Sequence, residues 1–125
     1  MAQAKKVLLI GLDPKVVDYA HLPTKLDEPT LRRGLAEDLE QLIARGYDAE
    51  WLLIDRGETA VQVATAKLAA NRYDCILLGA GIRTVAPLLL LFEQLVNVVH
   101  ERAPHAKIAF NTQPQDTPES VQRWV

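Results

Sequence analysis

The sequence predicts an α/β fold in which a four-stranded parallel sheet, in the order 2-1-3-4, carries helices on both faces. Three observations predict it. Two short runs, Val7 with Leu8, Leu9 and Ile10, and Cys75 with Ile76, Leu77 and Leu78, are apolar without interruption, the pattern of strands covered on both sides. Each run stops at glycine, Gly11 in the first and Gly79-Ala80-Gly81 in the second, which places a tight turn at the strand's carboxyl end. Strand-like and helix-like segments then alternate four times, and such alternation calls for parallel strands joined by right-handed crossovers. The two wholly apolar strands belong in the middle and the two that carry charge at the edges, which gives that order.

The first strand covers residues 7–12. Residues 13–27 follow with Pro14, His21 and Pro23 and no clean period. Loops beyond about 12 residues without structure of their own are commonly functional, and an irregular helical turn over 15–20 would shorten this one. The first long helix opens at Asp27, an N-cap residue, with Glu28 and Pro29 in its first turn, where acid and proline belong. Leu31, Leu35, Leu39, Leu42 and Ile43 make its apolar stripe, Arg32, Glu37, Asp38, Glu40 and Arg45 face water, and Gly46 ends it as a left-handed cap. The second strand, 49–54, carries Glu50 between Asp48 and Asp55 and reads as an edge.

Thr59 and Gln62 have capping-box spacing for a helix with Val61, Ala64 and Leu68 on one side, ending near Asn71. The central strand follows, then a helix over about 85–103. The fourth strand, 106–110, carries Lys107 as a guard on an exposed edge. A polar turn, 111–118, leads to a short closing helix, 118–125, anchored by Trp124.

A chain of 125 residues with 49% hydrophobic side chains can bury its own core as one domain, 1–125, without disulfides or metals. Its 14 basic and 16 acidic residues are dispersed, so the basic stripe of a nucleic-acid binder is missing. Cys75 is the one cysteine and has no internal partner, which suits a reducing, cytoplasmic setting. The apolar run after Lys6 is too short for a signal core or a membrane span. No nucleic acid, membrane, metal or cofactor is expected as a partner.

With strand order 2-1-3-4 the winding reverses between strands one and three, and such folds keep their crevice there. Its walls would be Leu12, Asp13 and Pro14 against residues 79–84, with Asn111 and Thr112 beside them. Asp13, Gly79, Gly81, Arg83, Thr84, Asn111 and Thr112 are the candidate ligand-binding residues. Glycine N–H groups, a helix start after Thr84 and the Arg83 guanidinium would suit a small anion. In the competing reading, Gly79 and Gly81 only shape the turn and Arg83 pairs with Asp13 or Asp55. The dinucleotide fingerprint does not fit, because the first loop has a single glycine. Ser120 lacks a nucleophile-elbow context, and Cys75 sits in a buried strand pattern, where a thiol is inert. His100 and His105 lack the acids or cysteines of a metal set. His21, beside Tyr19, is the one histidine near the crevice; its default role is that of a solvated loop residue.

Over its whole length the chain resembles small stand-alone flavodoxin-like bacterial proteins, which implies a three-layer sandwich lacking the usual fifth strand. The resemblance is one of scaffold. A receiver domain's acidic pair after strand one and its phosphoacceptor aspartate after strand three are replaced here by a lone Asp13 and by Gly79. The Ser/Thr-rich phosphate loop of flavodoxins and the Asp-x-His-x-x-Gly of cobalamin domains are missing as well.

The segment 85–99 has more apolar surface than one face of a sheet can cover. Leu88, Leu91, Phe92, Leu95 and Val99 suffice for packing, which leaves Val85, Leu89, Leu90 and Val96 as a candidate interface. Left wet, each would forgo roughly 1.5–3 kcal/mol, so a second copy related by two-fold symmetry is expected, with cover by the closing helix or the first loop as the competing arrangement. The function expected is a non-catalytic homodimeric ligand-binding or interaction module. The alternative is an enzyme acting on a phosphate- or carboxylate-bearing substrate at the same crevice, with Asp13 or His21 as acid or base and Arg83 as anchor.

Overall fold

The computed structural model describes residues 3–22 and 25–125; Pro23 of the long first loop lies outside them. Its strands are β1 (Lys6–Leu12), β2 (Asp48–Ile54), β3 (Cys75–Leu78) and β4 (Lys107–Phe110), and its helices α1 (Glu28–Ala44), α2 (Ala60–Ala70), α3 (Ala80–Arg83), α4 (Leu89–Arg102) and α5 (Thr117–Gln122). The four strands form one sheet in the order β2-β1-β3-β4, parallel throughout, with Leu9 opposite Trp51 and Leu77 and with Ile10 opposite Leu52 and Leu78. This is the predicted α/β architecture.

Successive side chains of a strand point to opposite faces, so one apolar run feeds two cores. Leu8, Ile10, Ile76 and Leu78 pack with Ala64 and Leu68 of α2 and with Leu91, Leu95 and Val99 of α4. Val7, Leu9, Cys75 and Leu77 pack on the other face with Leu42 of α1, Ala109 of β4 and Val121 of α5. The helices that follow β1 and β3 therefore leave on opposite faces. Lys107, at the outer edge, is exposed as its guarding role requires.

Helix α1 begins as its sequence predicts: the Asp27 carboxylate accepts a hydrogen bond from the Thr30 N–H at 2.9 Å. The Thr30 hydroxyl first, and then its N–H, hold the Asp27 carboxyl below its ordinary range. Gly46 closes the helix at φ +96°, the left-handed conformation that costs glycine least. The first loop contains two short 3-10 turns, Pro14–Val16 and Tyr19–His21, in place of one irregular turn.

Several expectations are corrected. The helix expected over 85–103 arrives in two pieces, a 3-10 turn Ala86–Leu88 and α4, and a separate short helix, α3, precedes it. Thr84 ends α3 by donating its hydroxyl to the Ala80 carbonyl at 2.7 Å, Val85 is extended, and Pro87 starts the chain again with its φ preset and no N–H to lose. Thr59 heads α2 without a capping bond from its side chain. Its hydroxyl goes back to Asp55 Oδ2 at 2.5 Å, and Asp55 also receives the Gly57 and Thr59 amides. Trp124 does not anchor the closing helix, being 54% exposed; Thr117, Pro118, Ser120 and Val121 hold it instead. In α1, Ile43 is turned to solvent while Asp38, expected in water, is buried.

Of the surplus apolar residues, Val85 and Val96 are partly buried against the core shared by α2 and α4. Leu89 and Leu90 remain 55% and 67% exposed. Helix α5 packs on the opposite face of the sheet, so it does not cover them.

Candidate functional site

The carboxyl ends of β1 and β3 open into a cavity of about 900 Å³ with a mostly apolar wall. Gly11, Leu12 and Gly79 form its floor at the strand ends. Leu31 and Leu35 of α1 and the Trp51 ring from β2 form one side, residues 84–88 the other, and Val17, Leu22 and Leu26 of the first loop the cover. The α1 stripe explains this wall. Only Leu42, near the C-terminal end of the helix, is fully buried in the sheet core, while Leu31 and Leu35 look into the cavity.

Gly11 is where the backbone has to be bare. A Cβ there would lie 2.9 Å from Cζ3 of Trp51, so the indole lies across the strand only because this residue has no side chain. The indole N–H then donates to the Leu35 carbonyl at 2.9 Å, tying α1 to β2 at the height of the cavity. Gly79 is less constrained: its backbone is ordinary extended chain, and a Cβ would meet the Ile10 carbonyl at 3.4 Å. Gly81 faces open space.

Gly79, Gly81, Thr84, Asn111 and Thr112 line this cavity, whereas Asp13 and Arg83 do not. Asn111 is 4% exposed and ties three elements together. Its side-chain oxygen accepts from the Ala80 N–H at 2.8 Å, its amide donates to the Thr117 hydroxyl at 2.9 Å, and its carbonyl accepts from Arg83 Nη2. Arg83 thus fastens the end of β4, and its Nε is buried without a partner. The helical turn that follows Gly79 has its first amide taken by Asn111. Asp13 accepts from the Lys15 N–H at 2.9 Å and lies 3.5 Å from Arg32, so neither proposed partner of Arg83, Asp13 or Asp55, meets it. Thr112 bonds to Asp116 through both its amide and its hydroxyl. Burial opposes ionisation of Asp116, but the bonds from Thr112 and Gln113 prevail and hold its carboxyl below the ordinary range.

The residue that sequence reasoning missed is Asp38. It lines the cavity, is 4% exposed, and its Oδ2 has no hydrogen-bond partner. Burial pushes its carboxyl up to about 6; the Thr117 hydroxyl favours the charged form, and Glu37, Asp116 and Glu119 oppose it. The signal was in the spacing: Leu31, Leu35, Asp38 and Leu42 fall at helical intervals on one face, which puts an acid in the apolar stripe.

At the mouth, His21 lies 2.6 Å from Asp18, both largely exposed. Arg56 donates to the Val16 carbonyl at 3.2 Å and so fastens the first loop. Tyr19 donates to the Pro14 carbonyl at 2.7 Å, which packs that loop upon itself. Cys75 is buried, and desolvation pushes its thiol up to about 12, which removes it as a nucleophile at neutral pH. Among the described residues, no group of three His, Cys, Asp or Glu side chains could hold a metal ion, and no helix is long and apolar enough to cross a membrane. No protein-family model matches the chain, and no curated protein matches its sequence.

Proposed function

We propose that the protein is a non-catalytic module that binds a small, largely apolar molecule in the cavity at the carboxyl ends of β1 and β3, and that it works as a cytoplasmic homodimer. The observation that carries the binding reading is the cavity itself. A concave, mostly apolar space of about 900 Å³ with a few convergent polar groups is the usual form of a small-molecule site, and it sits where open α/β sheets bind ligands. An anion is the poorer occupant: Arg83, its expected anchor, is engaged at Asn111 and lies outside the lining. Native mass spectrometry of freshly purified protein tests the reading. A retained small molecule is expected in the wild type and not in Leu35→Trp, which thrusts a bulky ring into the cavity from its α1 wall. Loss of the wild-type molecule under mild desalting, with no small apolar probe rebinding, would overturn it.

A second reading, an enzyme at the same cavity, is favoured by Asp38. A buried carboxyl raised to about 6 in a mostly apolar wall suits proton transfer at neutral pH. Under that reading Asp38 takes the acid–base role first assigned to Asp13 or His21, and Asp38→Asn retains ligand but ends its conversion.

A further inference from the structure

We propose that the ligand of this cavity is an apolar molecule bearing one cationic nitrogen, a primary or secondary ammonium, which pairs with the under-satisfied carboxylate of Asp38. The assignment rests on the ligand-binding reading above and adds the chemistry of the occupant.

A buried carboxylate oxygen is costly when nothing donates to it, and native proteins rarely leave one so. Here the orphan atom belongs to Asp38, a residue 4% exposed that lines the cavity. The Thr117 hydroxyl, itself held by Asn111, favours the charged form of this carboxyl. Oδ2 is enclosed with no hydrogen-bond donor beside it.

The charges around it select the sign of the missing partner. Glu37 on the same helix, Asp116 just before α5 and Glu119 within it all add negative potential at Asp38. The basic groups nearby are committed elsewhere: Arg45 is paired with Glu119 and Gln122 on the surface, and Arg56 holds the Val16 carbonyl at the mouth. An ammonium would offset that potential and donate to the Asp38 carboxylate, while Leu31, Leu35 and Trp51 cover the apolar body beside it. A carboxylate or phosphate in the same place would meet like charge.

The test uses three probes of equal chain length, n-octylamine, n-octanol and n-octanoate, titrated calorimetrically into the ligand-stripped full chain. n-Octylamine is expected to bind at least about tenfold more tightly than either other probe, the difference a charge-assisted hydrogen bond supplies. In Asp38→Asn that preference should shrink to within about twofold, while n-octanol binds as before. Equal binding of amine and alcohol by the wild type, a preference for n-octanoate, or an amine preference that survives in Asp38→Asn overturns the ammonium assignment and leaves the cavity as an apolar site. Failure of all three to bind the wild type, or equal binding by Leu35→Trp, overturns the cavity reading itself; Leu31→Trp replaces that variant should it not fold. The three-probe comparison on the wild type decides the charge preference without any variant.

Discussion

The Trp51 ring occupies the space that a side chain at Gly11 would need: its Cζ3 lies 2.9 Å from where the Cβ would stand. One strand must be bare so that its neighbour's indole can cross it and reach the Leu35 carbonyl. The sheet, α1 and the cavity wall are thereby fixed by one contact.

Gly11→Ala should therefore destabilise the fold by about 1–3 kcal/mol, the usual cost of overpacking a filled site. Because the added methyl conflicts with the indole and not with backbone, Trp51→Leu in the same chain should recover part of the loss. Urea denaturation of the two single variants and the double variant checks this. Strictly additive losses would mean that the two residues do not share the space.

Asp38 sets a pH dependence whose sign follows from its burial. The unfolded carboxyl titrates near its ordinary value of about 3.9, and the folded one is raised to about 6. Between those values the native state keeps a proton that the unfolded chain has released, so stability falls as pH rises through that window and the penalty is complete above it. Asp38→Asn has no such titration. Ligand-free Asp38→Asn should match the wild type most closely near pH 4 and gain on it up to pH 7, by about 2 kcal/mol. Denaturation midpoints at each pH measure the gain, and a constant difference would place the carboxyl in water.

Asn111 should be worth more than its position in a loop suggests. Asn111→Ala would leave the Ala80 amide without its acceptor and the Thr117 hydroxyl without its donor, at a cost of about 2–3 kcal/mol. The effect should be local as well as global, since Ala80 follows directly on the end of β3. Amide hydrogen exchange at Ala80 should accelerate in the variant ahead of the β3 amides. Equal protection in both proteins would show that the bridge is dispensable.

What the sequence made legible, and what it hid, divides along physical lines. Unbroken apolarity in residues 7–10 and 75–78 has one stable solution, a strand covered twice, so sheet order and crevice position could be read directly. Asp27 and Gly46 were legible because caps are local chemistry. Asp38 was hidden because charge was read as exposure, although its interval from Leu35 and Leu42 placed it on the apolar face. The role of Arg83 depended on Asn111, 28 residues further on, and no local pattern encodes such a pairing. The break before α4 was foreshadowed by Pro87, but its extent depended on Thr84 turning its hydroxyl back to close α3.

The exposed pair Leu89 and Leu90 gives the sharpest test of the proposed homodimer. The four residues first grouped as a seam have separated into two kinds: Val85 and Val96 contribute to the monomer's own core, and only Leu89 and Leu90 are left facing solvent. Covering what remains exposed of each would gain roughly 1–2 kcal/mol, and a two-fold axis through this face would gain it twice. Leu89→Glu should then abolish association in light scattering while leaving the thermal unfolding of the monomer nearly unchanged, since the side chain touches little of its own chain. Val96→Glu should instead unfold the protein, because its side chain packs inward. A wild-type chain that is monomeric at high concentration, or a Leu89→Glu variant that still associates, removes α4 as the seam.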